Sequence, residues 1–267
     1  MGEPLFVVDA FTDRPFEGNP AAICVLAEDR PEHWLASVAR EMNLSETAFL
    51  RRVAGGAWSL RWFTPTVEVV LCGHATLASA HALWEAGLAD PASVLAFETR
   101  SGTLRAVRRA PEIELDFPAE PAVPIPSPPD LLAALGTGAT RFTGRNRMDF
   151  LVELDSEAAV GGLTPDFPAV AAATRPDRGV IVTARSTSPD RDFVSRYFAP
   201  AAGIDEDPVT GSAHCCLGPF WAERLGRRKV IGRQISTRGG TVGVRIEDGG
   251  RVTLSGRAVT VSRGELL

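Results

Sequence analysis

Apolar residues fall along this chain in short runs separated by turn formers, and twice in long runs that carry hardly a charge. The short runs at 5–9 and 21–26 predict strands on either side of the turn Asp13-Arg14-Pro15-Phe16-Glu17-Gly18-Asn19-Pro20. Residues 31–42 predict a helix opened by Pro31. Thr47–Arg52 and Ser59–Phe63 predict strands, which leaves Asn43-Leu44-Ser45-Glu46 at a helix-to-strand corner. From Gly73 to Gly87 the run is dominated by Ala, Leu and Trp. A helix apolar on every side is a buried one, so it is placed inside its unit and wrapped by strands. Pro118, Pro121, Pro124, Pro126, Pro128 and Pro129 exclude a helix or a central strand and predict a linker. Beyond it, Asp130 is expected to cap a short helix, Leu131–Leu135, that Gly136 ends. A strand at 149–154, a helix at 165–173 and strands at 179–184 and 192–198 follow. A helix from Gly211, kinked at Pro219, leads to strands at 230–237, 241–246 and 251–255.

This order of elements occurs twice, and so do its residues. Arg61-Trp62-Phe63-Thr64-Pro65 returns as Arg196-Tyr197-Phe198-Ala199-Pro200, and Gly73-His74-Ala75 returns as Gly211-Ser212-Ala213. Both helical runs close alike, Trp84-Glu85-Ala86-Gly87-Leu88 against Trp221-Ala222-Glu223-Arg224-Leu225. Thr99-Arg100-Ser101-Gly102-Thr103-Leu104 matches Thr237-Arg238-Gly239-Gly240-Thr241-Val242. Four matches in one order imply a duplicated unit. The fold class expected is α+β, with a first half at 1–118, a proline-rich linker at 119–129 and a second half at 130–267. The C-terminal end is free to pack back on the first half. A site between the copies is the leading expectation.

Composition narrows the chemistry. The chain has 267 residues, 45% hydrophobic and 23% charged, with a net charge of −5. That is an ordinary soluble globular balance without the basic stripe of a nucleic-acid binder. Lys229 is the only lysine, and it lies in neither a P-loop nor a Schiff-base context, which excludes both chemistries. Cys24, Cys72, Cys215 and Cys216 form no disulfide framework, no secretory signal precedes Asp9, and no run reaches the ~20 apolar residues of a membrane helix. A cytoplasmic location and a small-molecule partner are expected, with neither nucleic acid nor membrane.

Candidate chemistry gathers at corners and helix heads. Glu46 is a lone acid among apolar residues; it reads either as an exposed turn carboxylate or as a half-buried proton carrier. At the roughly corresponding corner of the second copy stands Arg178, which favours one proton-transfer group over a symmetric pair. Cys72-Gly73-His74 and Thr210-Gly211-Ser212 head the two buried helices, where open N–H groups and the helix dipole suit an anion such as a substrate carboxylate. Asp207 reads as a helix cap or as a group that orients an amine or assists a proton. Metal binding is not expected: adjacent helical residues share no face, and no Cys-x-x-Cys pair occurs. His81 and His214 read as core or helix-surface histidines. Thr210-Gly211-Ser212-Ala213-His214 lacks the elbow of a serine hydrolase, and the glycines at 239–243 open no dinucleotide-binding helix.

Four segments together resemble the PhzF (phenazine biosynthesis-like) family: Phe11 to Ala22, Asn43-Leu44-Ser45-Glu46-Thr47-Ala48-Phe49, Cys72-Gly73-His74-Ala75-Thr76 and Asp205 to His214. The resemblance covers nearly the whole chain. It implies a diaminopimelate-epimerase-like fold of two similar halves, each a strand-rich barrel around a central buried helix, with the site between them, and a homodimer. The family's characterised isomerase acts on dihydro-3-hydroxyanthranilate without a cofactor, a glutamate carrying a proton across a diene. Carried over, that glutamate is Glu46, with His74 and Asp207 also catalytic. Asn19, Gly73, Thr210, Gly211 and Ser212 then bind substrate, and no metal is involved. The same fold hosts epimerases with one thiol at each helix head. Here Cys72 is matched by Thr210, which argues against that mechanism. An amino-acid racemase and a non-enzymatic binding protein stay open as alternatives.

Overall fold

The computed structural model describes residues 2–175 and 179–267, and it divides into two compact units: residues 1–117 with 253–267, and residues 118–252. The first unit runs β1 (Glu3–Ala10), β2 (Asn19–Leu26), α1 (Glu32–Met42), β3 (Glu46–Arg52), β4 (Trp58–Phe63), β5 (Glu68–Val69), α2 (Gly73–Glu85), β6 (Leu95–Thr99), β7 (Gly102–Arg109) and β8 (Glu112–Pro118). The second contains β9 (Val123–Pro124), α3 (Pro129–Leu135), β10 (Phe142–Arg145), β11 (Asp149–Glu153), α4 (Glu157–Gly161), α5 (Phe167–Ala173), β12 (Gly179–Arg185), β13 (Phe193–Phe198), α6 (Gly211–Leu225), β14 (Lys229–Gln234) and β15 (Gly240–Glu247). β16 (Arg251–Gly256) runs across the boundary between them, and β17 (Ala258–Leu266) returns to the first unit.

The duplication is written in the strand pairing. In the first unit β1–β2 is antiparallel, β2–β3 parallel, β3–β4 antiparallel, β4–β6 parallel and β6–β7 antiparallel. The second unit repeats that series from β10 to β15. Each parallel pair needs a crossover, and helices supply it: α1 and α2 in the first copy, α4 with α5 and α6 in the second. The α2 helix packs on β1, β2, β3, β7 and β17, so the curled sheet surrounds it as its apolar circumference requires. The α6 helix is likewise buried along most of its length and packs on β14 and β15. Pro219 lies inside α6 without ending it.

The amphipathic α1 lays Leu35, Val38 and Ala39 on Phe49 of β3 and Phe63 of β4, then stops at Asn43, which takes a left-handed conformation (φ 48°). That stop delivers Glu46 to the first position of β3. Gly18, at φ 68°, plays the matching part before β2: a Cβ there would stand 2.2 Å from the carbonyl oxygen of Ala10. Asn19 is thereby placed at the start of the strand.

Several local expectations change. Residues 119–129 are no free spacer. Ala119 and Glu120 donate to the carbonyls of Gly250 and Cys215, and Val123–Pro124 pairs with β10. Proline is tolerated there because a two-residue edge strand needs few donors. Asp130 does not cap α3; the N-cap is Pro128, and Asp130 sits in the first turn, where its charge complements the dipole. Residues 253–267, counted above with the second half, belong with the first, where β17 pairs along the whole of β1. The strands β5, β6, β7, β8, β10 and β17 lie outside the sequence expectations. No helix among the described residues is long and apolar enough to cross a membrane.

The repeated arginines fix the approach to each helix head. Arg61 holds Glu68 through Nε and Nη2 at 2.8 and 2.7 Å, and Arg196 holds Glu206 in the same fork at 2.7 and 2.9 Å. The arginine is on β4 or β13 and the carboxylate opens the segment into α2 or α6. Arg196 and Glu206 are 12% and 19% exposed, so the pair is largely desolvated. Replacing Arg196 by Met, which keeps its stem over Phe198, is expected to cost about 2–3 kcal/mol in urea unfolding, because Glu206 is left half-buried without its cation. A change below about 0.5 kcal/mol would show the pair to be a solvated surface contact.

Candidate active site

Three chain ends meet within the first unit. β2 begins at Asn19, the parallel β3 begins at Glu46, which stands opposite Ala21, and α2 begins after its N-cap Cys72. Cys72 is extended (φ −148°, ψ 112°), so it is not on the helical spiral, and its sulfur can lie on the same side as His74. The expectation that these two neighbours share no face fails for that reason.

The imidazole of His74 is the centre of the cluster. Nε2 lies 3.0 Å from Oε2 of Glu46, Nδ1 lies 3.2 Å from Nδ2 of Asn19, and the Cys72 sulfur is 3.5 and 3.9 Å from the two ring nitrogens. His74 is 4% exposed, Cys72 7% and Glu46 9%, and Asn19 is fully enclosed. The Glu46–His74 contact has the distance of an ion pair, but the oxygen is off the N–H direction, so it makes no well-formed hydrogen bond.

Burial opposes a charge on His74, but the Cys72 sulfur and the Glu46 carboxylate outweigh it and hold the imidazole well above its ordinary range. Burial pushes the Cys72 thiol up, the Glu46 charge adds to this, and His74 opposes it. Carboxyl, imidazole and thiol thus share one buried cluster, in which the imidazole is shifted toward its protonated form and the thiol away from the thiolate.

The second unit builds a different group on the equivalent frame. Thr210, like Cys72, is an extended N-cap, and its hydroxyl donates to Oδ2 of Asp207. Gln234, fully buried at the end of β14, locks this corner: its Oε1 accepts from the Thr210 N–H at 2.9 Å, while Nε2 reaches the Asp207 carbonyl at 2.7 Å and the Thr210 hydroxyl at 3.1 Å. Asp207 is therefore not the helix cap; it lies three residues before the cap, Thr210, and is held by it. Gly211 is buried and Ser212 half-buried at the head of α6. His214, one turn in, directs Nδ1 to the Thr210 carbonyl at 2.8 Å, and Ser212 is not joined to it as a hydrolase pair would be.

Strand register corrects one equivalence. Thr47 stands opposite Phe63, and Val180 stands opposite Phe198, so the twin of Glu46 is Gly179. Arg178, the earlier candidate, lies outside the described residues. A Cβ at Gly179 would come within 2.6 Å of the Tyr197 hydroxyl, which instead donates to Oδ1 of Asp149 at 2.9 Å. The second copy thus fills with a tyrosine the space where the first holds its acid.

Asn19, Glu46, Gly73 and His74 are brought together in the first unit, and Asp207, Thr210, Gly211 and Ser212 in the second. Sequence reading left Cys72 without a role and missed Gln234. A glutamine ending a strand, at the position whose side chain alternates with that of Arg233, is the signal that could have marked Gln234.

The family model described as phenazine biosynthesis-like protein matches residues 8–264. An uncharacterized isomerase of Halalkalibacterium halodurans is 51% identical, over 100% of this chain and 99% of its own. The crystal structure of a phenazine biosynthesis protein PhzF family member from Enterococcus faecalis superimposes with a TM-score of 0.94 at 41% identity, covering both chains completely. A probable proline racemase from Agrobacterium radiobacter shares the fold alone, at a TM-score of 0.66 and 15% identity, over 99% of this chain and 93% of that one.

Proposed function

Because the chain belongs to the phenazine biosynthesis-like protein family, we propose that it is a cofactor-independent isomerase in which Glu46 takes a proton from an activated carbon of a small carboxylate-bearing substrate and returns it elsewhere on the same molecule. The relatives' names carry the isomerase class. The observation that supports the finer reading is the contact of the buried Glu46 carboxyl group with the buried His74 imidazole, 3.0 Å apart, at the mouth of an uncapped helix.

In this reading Glu46 is the general base and then the general acid, so the proton leaves and returns through one oxygen and the enzyme is unchanged after each turnover. His74, shifted toward its protonated form, faces the negative charge that develops on the substrate as the proton departs. The amide of Asn19, 3.2 Å from Nδ1, fixes the ring when turned so that its oxygen accepts from the Nδ1–H. The Gly73 end of α2, which no side chain caps, offers backbone N–H groups and the positive end of a dipole to the substrate carboxylate. Asp207, Thr210, Gly211 and Ser212 are assigned to orienting the remainder of the substrate, with Gln234 holding Asp207 and Thr210 in place.

A two-thiol epimerase is disfavoured on chemical grounds. Burial keeps the Cys72 thiol protonated and pushes Cys216 up to about 12 and Cys215 higher still, and the twin of Cys72 is a threonine.

The test is solvent exchange. The protein is incubated in deuterium oxide with a panel of small cyclic, unsaturated and α-amino carboxylates, and each is followed by proton NMR. Deuterium entering one compound at a carbon position, with or without formation of an isomer, is the expected result. Exchange that depends on Cys72 and not on Glu46 would move the assignment to a thiol epimerase. A panel with binding and no exchange would leave a binding protein.

A further inference from the structure

From the geometry of the first-unit cluster we infer a second ligand class for it: Glu46, Cys72 and His74 form a binding site for a borderline-soft divalent cation, zinc above all, and the bound cation is a reversible inhibitor. Three donor atoms, the Glu46 carboxylate oxygen, the Cys72 sulfur and a His74 ring nitrogen, all lie within 4.8 Å of one another. Nε2 is 3.0 Å from Oε2 of Glu46 and 3.9 Å from the sulfur. Bonds of ~2.0–2.3 Å from a tetrahedral zinc put its ligands about 3.3–3.7 Å apart, so the two edges at His74 fit to within a few tenths of an ångström, and the sulfur–carboxylate edge, within 4.8 Å, closes by side-chain rotation of about 1 Å.

The donor set is selective in kind. One thiolate, one imidazole and one carboxylate match zinc and cobalt better than magnesium or calcium, which take oxygen ligands. Three protein ligands leave a fourth position open, the pattern of an accessible rather than a closed structural zinc site. The other ring nitrogen of His74 already lies 3.2 Å from the Asn19 amide. Rotation of that amide presents its oxygen to an Nδ1–H, and a ligating histidine is usually anchored through its second nitrogen in this way.

Binding balances simply. The imidazolium loses its Nε2 proton and the thiol loses its proton, both to solvent, while the carboxylate and thiolate neutralise the two charges of the ion. Glu46, coordinated through one oxygen, then lacks the basicity that abstraction of a carbon-bound proton needs. The inhibitory part of the inference rests on the proton-transfer reading above; the binding part does not.

The probe is cobalt(II) added to the metal-free protein. Expected are a thiolate-to-cobalt charge-transfer band in the near ultraviolet and the intense visible absorption of four-coordinate cobalt, both removed by one equivalent of zinc. Cys72→Ser should delete the near-ultraviolet band, and Glu46→Gln should keep it while weakening zinc binding at least about tenfold. Replacing Cys215 and Cys216 by serine should change neither. A wild-type protein without the thiolate band overturns the site, as does a band that survives Cys72→Ser or a zinc affinity unaltered in Glu46→Gln. Failure here leaves the metal-free exchange experiment untouched, and failure of exchange leaves the cobalt spectrum to be read on its own.

Discussion

Glu46→Gln is expected to fold as the wild type does and to lose at least about 10³-fold in turnover, measured as deuterium incorporation into whichever carboxylate the exchange panel identifies. One positioned acid–base group contributes ~10²–10⁴-fold, and in the proposed mechanism the same group serves both proton transfers, so its loss falls at the upper part of that range. Glutamine keeps the volume and the hydrogen-bonding edge of the side chain at the start of β3, so binding of the compound, read by NMR line broadening, should stay within about threefold of wild type. A fall in turnover with little change in binding marks a group that acts in the transition state. Near-normal exchange by this variant would overturn the role of Glu46.

The asymmetry of the two units gives that prediction its force. Duplication supplies two equivalent frames, each with a parallel strand pair beside a buried helix head and each steadied by an arginine–glutamate fork. On one frame stand Glu46, Cys72 and His74; on the other the same places hold Gly179, Thr210 and Ser212. Tyr197, hydrogen-bonded to Asp149, packs so closely on Gly179 that no carboxylate could be accommodated without displacing it. Conversely Asp207 falls at the place of Val69, since Glu206 and Glu68 hold equivalent arginines in both copies. In the proposed mechanism proton transfer is therefore assigned to one frame and orientation to the other.

Much of this was legible because it was repeated. The α2 and α6 helices, their neighbouring strands and the Glu46 corner were all marked by paired segments or by apolar runs with clear punctuation. The strands from Leu95 to Pro118 were passed over although Leu104, Ala106, Ile113, Leu115 and Phe117 alternate inward. Arginines and glutamates at the intervening positions mask that period, because only one face of each strand is covered. Residues 119–129 misled in the opposite direction. Proline forbids a central strand but not an edge, and sequence alone does not say which strand is an edge. The cluster at His74 was hidden by one backbone angle: Cys72 is extended, and helical spacing rules stop at the cap. Gln234 was hidden by distance along the chain, as its three hydrogen bonds reach residues 24 to 27 positions away.

The second large effect concerns acid stability and traces to His214. This residue is wholly buried in α6 beside Phe193; Nδ1 meets the Thr210 carbonyl, and Nε2 has no hydrogen-bond partner among the described residues. Burial holds its pKa down at about 4, and the Thr210 carbonyl offsets this only in part. The unfolded chain takes up the His214 proton below about pH 6.5, while the folded chain refuses it until about pH 4. Between those values the unfolded state binds more protons, so stability is complete above pH 6.5, falls as the pH drops, and levels off below pH 4. A separation of this size is worth about 3 kcal/mol. His214→Gln, whose amide can donate to the same carbonyl, removes the titration. Urea unfolding of both proteins from pH 7.5 to 4 should therefore show the wild type losing about 3 kcal/mol relative to the variant, since every other titrating group is common to the two. Parallel stability curves would mean that the imidazole is hydrated in the fold. A second reading comes from the nitrogen chemical shifts of His214, which should remain those of a neutral ring at pH 5. The consequence reaches the second-unit cluster, because the carbonyl that His214 holds belongs to Thr210. An imidazolium forced into α6 would disturb the cap that keeps Asp207 in place, so acid should blunt substrate orientation before it unfolds the chain.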